Sequence, residues 1–152
     1  MKIYTKGFTA LELIIVIAII GILTIVVLVP FSDFRAKQIL NSETKLVESL
    51  IQEARSKTLA SENDNQFGLY FESGQVTRFT GSDYVAGNAD NKVFALHNLV
   101  ELETVGLTDN ELIFDKISGQ ASEAGSITIS LVADGASSRT ILVNESGVVS
   151  LN

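Results

Sequence analysis

The side chains able to do chemistry are few, and one is misplaced by ordinary standards. Glu12 is the only charged residue between Phe8 and Val29. A carboxylate in so apolar a run costs a few kcal/mol on insertion scales, and such residues usually mark function. Elsewhere the inventory is poor. His97 is the only histidine and there is no cysteine. A His cluster for a metal, a thiolate site, a cysteine nucleophile, a disulfide framework and a lipidated N-terminal cysteine are therefore excluded. No nucleophile elbow, phosphate loop or dinucleotide fingerprint is present. No residue is assigned a catalytic role, and no enzyme activity, cofactor or metal is expected. Asp83, Asn88 and Asp90 form an oxygen-rich loop without the EF-hand spacing, so solvation is the plain expectation over calcium. His97 reads as a surface or strand-edge residue.

The chain has 152 residues and a formal charge of −7, with 46% apolar residues and a mean hydropathy of +0.31. One domain fits that length. The hydropathy is high for so acidic a chain, so the apolar residues must be unevenly distributed. Net negative charge disfavours nucleic acid, because phosphate neutralisation by Lys and Arg supplies most non-specific affinity. The C-terminal Ser146 to Asn152 carries no cation, and loss of Lys2 and Lys6 with a leader would deepen the acidic excess.

Phe8 to Val29 covers about 22 residues, or roughly 33 Å as helix, which matches a bilayer's hydrocarbon core of about 30 Å. A single segment in lipid must satisfy its own backbone groups as a helix. A removable secretory signal is disfavoured: the run exceeds an ordinary h-region, and Val27 to Phe31 offers no small-residue cleavage site. Lys2 and Lys6 precede the span while Arg35, Lys37 and Lys45 follow it, so basic residues alone do not orient it.

The head of the run reads Lys6-Gly7-Phe8-Thr9-Ala10-Leu11-Glu12-Leu13. A basic leader, a glycine, an aromatic residue and a glutamate four positions later resemble the type IV prepilin signature over residues 6 to 30. The resemblance implies cleavage between Gly7 and Phe8 by a membrane-embedded prepilin peptidase acting on the cytoplasmic face. It also implies methylation of Phe8 as the new first residue. Gly21 and Pro30 stand near positions where that family weakens its helix. A head outside the cytoplasm, and a filament grown from the inner membrane on an assembly platform, follow from the same likeness.

The spacing has a physical logic of its own. Cleavage before Phe8 creates an α-amine. On a helix, Phe8 and Glu12 share one face, so a cation comes near the carboxylate. A neighbour's amine serves equally, and pairing with it sets the axial register of incoming subunits. Gly21 and Pro30 predict a kink or meltable stretch, since proline removes one helical hydrogen bond and clashes with the preceding turn.

Beyond Pro30, the residues Ile39, Leu40, Leu46, Val47, Leu50, Ile51, Ala54 and Thr58 recur at three-to-four spacing and predict an amphipathic helix to about Ser61. Asp33 with Lys37 and Glu53 with Lys57 are favourable i,i+4 pairs. Ser61 to Gln66 breaks the helix. Phe67, Leu69 and Phe71 alternate, Ser73-Gly74 turns the chain, and Gln75 to Thr80 returns as a hairpin. Gly81 to Asn91 reads as a polar loop. Further strands are expected at Lys92–Leu96, Leu99–Val105, Leu112–Asp115, Ile127–Val132, Arg139–Val143 and Val148–Leu151, with turns at Asp134-Gly135 and Ser146-Gly147. Asn144-Glu145-Ser146 matches a glycosylation sequon, a pattern common by chance.

The expected fold is α+β: a leader over 1–7, a transmembrane and filament-core helix over 8–30, its amphipathic continuation over 31–61, and a β-rich head over 62–152. The helix packs on an antiparallel sheet. The head also resembles the minor pseudopilins of type II secretion, in the H pseudopilin group. The elements concerned are Phe114 with Gly119, Ser126 to Leu131, Arg139 to Val143, and Gly147-Val148-Val149. The expected function is a minor pseudopilin, partnered by prepilin peptidase, other subunits, the assembly platform and, before assembly, membrane lipid. A major or minor pilin for adhesion, motility or competence is the alternative in the same class. An uncut membrane anchor displaying a binding domain is the alternative from another.

Overall fold

The structure, a computed structural model, describes residues 7–61 and 64–152; of residues 25–30, 104 and 134 it describes the backbone alone. The leader residues 1–6, the Glu62-Asn63 part of the helix break and the side chain of Pro30 therefore lie outside the described residues. The chain divides into two units, Met1–Arg35 and Ala36–Asn152. Helix α1 spans Ala10–Leu59, and its helical assignment is unbroken at Gly21 and Pro30.

In the first unit, the apolar side chains of α1 from Leu11 to Leu23 are exposed. They have the composition of a buried face without a core to bury it. Among the described residues no helix is long and apolar enough to cross a membrane. The described side chains of the apolar run stop at Thr24, short of Val29.

In the second unit, the predicted stripe is the buried one. Leu40, Val47, Leu50, Ile51 and Ala54 join the core, with Ile39 and Leu46 packed at its margin. Thr58 closes the stripe by a hydrogen-bond relay. Its hydroxyl donates to the Ala54 carbonyl at 2.9 Å and accepts the Phe67 amide at 3.0 Å. That second bond fixes the start of the first strand against the end of the helix, so a residue that reads as a weak stripe member is a joint between two elements.

Among the described residues eight strands follow: β1 (Phe67–Glu72), β2 (Gln75–Thr80), β3 (Lys92–Ala95), β4 (Val100–Val105), β5 (Glu111–Ile113), β6 (Gly125–Leu131), β7 (Asp134–Val143) and β8 (Val149–Leu151). All pairings are antiparallel. The antiparallel part of the head is divided into two four-stranded sheets, ordered β3-β2-β1-β5 and β4-β6-β7-β8. The inner faces of both meet the helix stripe. Leu69, Phe71, Val76 and Leu112 come from one, and Leu102, Ile127, Ile129, Ile141 and Val143 from the other. The turn between β1 and β2 joins the sheets, where the Leu102 amide of β4 donates to the Ser73 carbonyl at 2.8 Å.

Two sequence expectations change. Asp134 and Gly135 do not turn the chain; they begin β7, with Leu131 paired to Asp134 across the two-residue turn Val132-Ala133. The dipeptide favours a turn only locally, and the register shift at Ser130/Leu131 lets the ladder run further. Leu112–Asp115 contracts as well: β5 ends at Ile113, and Phe114 makes an isolated bridge with Ala121.

The polar loop 81–91 is a cover. Phe79 and Thr77 lie on the face of the first sheet that points away from the helix, yet each is 1% exposed. Tyr84 stacks on Tyr70 with ring centroids 4.0 Å apart and meets Phe79 at 5.7 Å. Its amide donates to the Glu111 carboxylate at 3.2 Å. A small second core thus forms on the outside of the sheet.

Candidate functional site

Gly7 and Phe8 precede the helix, with Phe8 almost wholly exposed. Because α1 begins at Ala10, Thr9 is the residue that caps it, and Glu12 sits at the third helical position. The Thr9 amide donates to the Glu12 carboxylate at 3.3 Å, and the Glu12 amide donates to the Thr9 hydroxyl at 3.3 Å. The Thr9 hydroxyl lies 3.4 Å from the same carboxylate oxygen. This is a reciprocal capping box, satisfying two amides that a helix start leaves without partners. Its anion also sits where the helix dipole is favourable. Phe8 lies outside the helix, so the same-face relation between Phe8 and Glu12 is not formed in this state.

The threonine was legible in advance as the first letter of a Thr-x-x-Glu pattern opening an apolar run. The charge of Glu12 by itself does not reveal that pattern.

Gly21 has nothing within 4 Å of where a β-carbon would stand. Three residues on, the Thr24 hydroxyl donates to the Ile20 carbonyl at 2.7 Å. Such back-bonding to the preceding turn tends to bend helices. Gly7 and Phe8 lie in the approach to the first turn, Glu12 within it, and Gly21 further along the same helix.

His97 is exposed, and its Nδ1 accepts the Leu99 amide at 3.2 Å. Asp83 accepts the Ser82 hydroxyl, and Asn88 Oδ1 accepts the Asp90 amide. Among the described residues no group of three His, Cys, Asp or Glu side chains is placed to hold a metal ion. The sequon lies in a tight turn: Asn144 Oδ1 accepts the Ser146 hydroxyl and the Val148 amide, and Gly147 takes φ +74°.

Side chains of α1 also reach parts far away in sequence. The guanidinium of Arg55 donates from Nε to the Gly119 carbonyl at 2.9 Å and from Nη2 to the Ser146 carbonyl at 3.2 Å, tying two loops to the helix. Glu53 meets Arg78 of β2 in an ion pair. Between β5 and β6, Asp115 Oδ1 accepts the amides of Ser118 and Ile117, both at 2.8 Å, and the Ser118 hydroxyl at 3.0 Å. Those bonds hold its carboxyl below the ordinary carboxylate range: first the Ser118 amide, then the Ile117 amide, then the Ser118 hydroxyl.

No family model matches the sequence. A fimbrial protein of Moraxella nonliquefaciens is 33% identical over 141 residues, covering 84% of this chain and 85% of that protein. A fimbrial protein of Pseudomonas aeruginosa is 31% identical over 139 residues, covering 86% and 81%. Among solved structures, the type IV minor pilin FimU of Pseudomonas aeruginosa matches in two crystal forms with TM-scores of 0.58 and 0.60. Those matches are 12% identical, cover 74% and 78% of this chain and 92% of FimU, and speak to fold alone. Through its fimbrial relatives, and with an α+β fold of long helix on antiparallel sheets, the chain belongs to the type IV pilin-like family.

Proposed function

We propose that this chain is a non-enzymatic structural subunit of a type IV pilus-like filament. It waits in the cytoplasmic membrane on residues 8–30, is trimmed between Gly7 and Phe8 by a prepilin peptidase, and is methylated on Phe8. It then joins other subunits through α1 on an inner-membrane assembly platform. The observation that carries this reading is Glu12, the lone anion of an apolar run whose described side chains are otherwise exposed and without a core. An apolar helix that leaves lipid must be covered by other helices. Pairing with the α-amine of a neighbouring subunit then neutralises the carboxylate and sets axial register. Gly21, Pro30 and the Thr24 back-bond support a helix that bends or melts between 21 and 30 during assembly.

Within this class we propose a minor pilin role, prompted by the minor pilin FimU, with which the chain shares its fold. A minor pseudopilin of type II secretion is the second reading, favoured by the Phe114–Gly119 and Ser126–Leu131 elements of the head. A deletion that abolishes secretion and spares pili selects the second reading. A dominant band in sheared filaments refutes a minor role in either.

The deciding test pairs intact-mass measurement of the membrane-extracted protein with a Glu12→Ala assembly assay. The expected mass begins at a methylated Phe8, and Glu12→Ala is expected to be trimmed normally and lost from filaments. Retention of residues 1–7 in cells with active prepilin peptidase selects the uncut anchor, and normal incorporation of Glu12→Ala removes the charge-pairing role.

A further inference from the structure

The exposed apolar surface of α1 continues past the end of the apolar run. Beyond Val29 come Phe31, 65% exposed, and Phe34, 60% exposed, followed by the exposed Arg35. All three belong to the first unit, whose apolar side chains from Leu11 to Leu23 are exposed in the same way. Among the described residues Arg35 makes neither an ion pair nor a side-chain hydrogen bond.

Helical spacing gathers the three on one face. At about 100° per residue, Phe34 and Arg35 flank Phe31 within roughly 100° of arc, while Asp33 falls about 160° away from Phe31. That face therefore carries two phenyl rings and a cation, and the neighbouring anion is turned to the other side.

Length sets the depth of the face. With Phe8 to Val29 in hydrocarbon, a rise of about 1.5 Å per residue puts Phe31 about 3 Å, Phe34 about 8 Å and Arg35 about 9 Å beyond it. The headgroup layer on each side is about 5–8 Å deep. Both rings fall within that layer, and Arg35 stands at its outer margin. Helical side chains lean toward the helix N-terminus, which here is the membrane side. The guanidinium is thus directed back at the phosphates, as long cationic side chains at a span's end are.

We infer that Phe31, Phe34 and Arg35 form a site for an anionic phospholipid, with the rings at the acyl boundary and the guanidinium on the phosphate. This rests on the reading of residues 8–30 as a membrane segment, and adds to it a named site and a lipid class. Two observations select lipid as the occupant. The site continues the exposed apolar surface along an unbroken helix, and its cation lacks the partner that a phosphate supplies. An anionic lipid is favoured over a zwitterionic one because the latter's own ammonium competes for the phosphate, while an anionic surface draws interfacial cations.

The chain has no tryptophan, so a single introduced indole reports a single depth. Full-length Phe34→Trp and Ile17→Trp are reconstituted separately in vesicles of phosphatidylcholine mixed with phosphatidylglycerol. Nitroxides placed high or deep on the lipid acyl chain quench the fluorescence. Ile17→Trp is expected to respond to the deep label and Phe34→Trp to the shallow one. Moving the shallow label from phosphatidylcholine to phosphatidylglycerol is expected to reveal about fivefold local enrichment beside Phe34→Trp. Adding Arg35→Gln is expected to abolish that preference. Access of aqueous iodide to Phe34→Trp, with Ile17→Trp still deep, overturns the site and leaves the membrane reading standing; access to both overturns both. Shielding of Phe34→Trp from iodide and from both lipid labels means that protein covers the face, and overturns the site. Equal quenching by the two lipids, or a preference that survives Arg35→Gln, overturns the anionic headgroup as its ligand.

Discussion

Thr9 and Glu12 close on each other across the first turn of α1, each supplying what the other's backbone amide lacks. The carboxylate proposed to dock a neighbouring subunit therefore already has a partner within its own chain. Assembly must exchange one set of contacts for another, and the helix start is weakened by whatever the exchange removes. The two roles separate by substitution.

Thr9→Ala deletes the cap and keeps the anion. A capping residue is worth about 1 kcal/mol, so this variant is expected to lose helicity at the start of α1 and still enter filaments at near-parental level. Glu12→Gln keeps hydrogen-bonding capacity but loses the charge, and is expected to be excluded. Quantitative blotting of sheared filaments reads both. Equal loss in the two variants would reduce Glu12 to a helix cap.

Gly68 is required for room. A β-carbon there would stand 2.8 and 2.9 Å from Cε2 and Cε1 of Phe79, inside contact distance. Gly68→Ala is expected to destabilise the head by about 1–3 kcal/mol through overpacking. Adding Phe79→Leu to it should cost less than the two single losses together. Urea unfolding of the detergent-solubilised chain measures the cycle, and strict additivity would disprove the contact.

Thr77 carries a buried hydroxyl without a hydrogen-bond partner. Thr77→Val keeps the shape and removes the stranded polar group, so a gain of about 1 kcal/mol is expected. It should appear as a higher urea midpoint at unchanged slope. A loss of stability would mean that the hydroxyl is satisfied in solution.

Asp115 makes the Ile117 turn pH-sensitive in a definite direction. Its folded pKa lies below the unfolded value, so its stabilising effect is complete above the ordinary carboxylate range and is lost as pH falls through the folded pKa. The protection of the Ile117 and Ser118 amides, taken against the intrinsic exchange rate at each pH, is expected to be unchanged from neutrality to about pH 5 and to fall below about pH 4. Asp115→Asn should flatten the Asp115-linked part of that acid dependence. An acid profile identical in the two proteins would refute the assignment.

Much of this was legible in one dimension. Helix, hairpin and strand positions follow from periodicity, because a side chain's face depends only on its offset from its neighbours. The Leu40-to-Thr58 stripe and the Phe67–Leu69–Phe71 alternation are of that kind. So is the capping box, a pattern contained in the four residues Thr9 to Glu12. The isolation of Glu12 in an apolar run is likewise a property of the sequence by itself.

What tertiary structure decided lies at long range. Nothing local distinguishes loop 81–91 from a solvated connection; it becomes a cover only when Tyr84 meets Tyr70 and Phe79. The strand list does not say that eight strands form two sheets, nor that Asp134-Gly135 belongs to a ladder. Pairing energy with β6 outweighs the dipeptide's turn preference. Arg55 finds the carbonyls of Gly119 and Ser146 only after 64 and 91 residues of chain have folded back. Composition sets how much apolar surface a chain carries, while packing decides which of it stays uncovered.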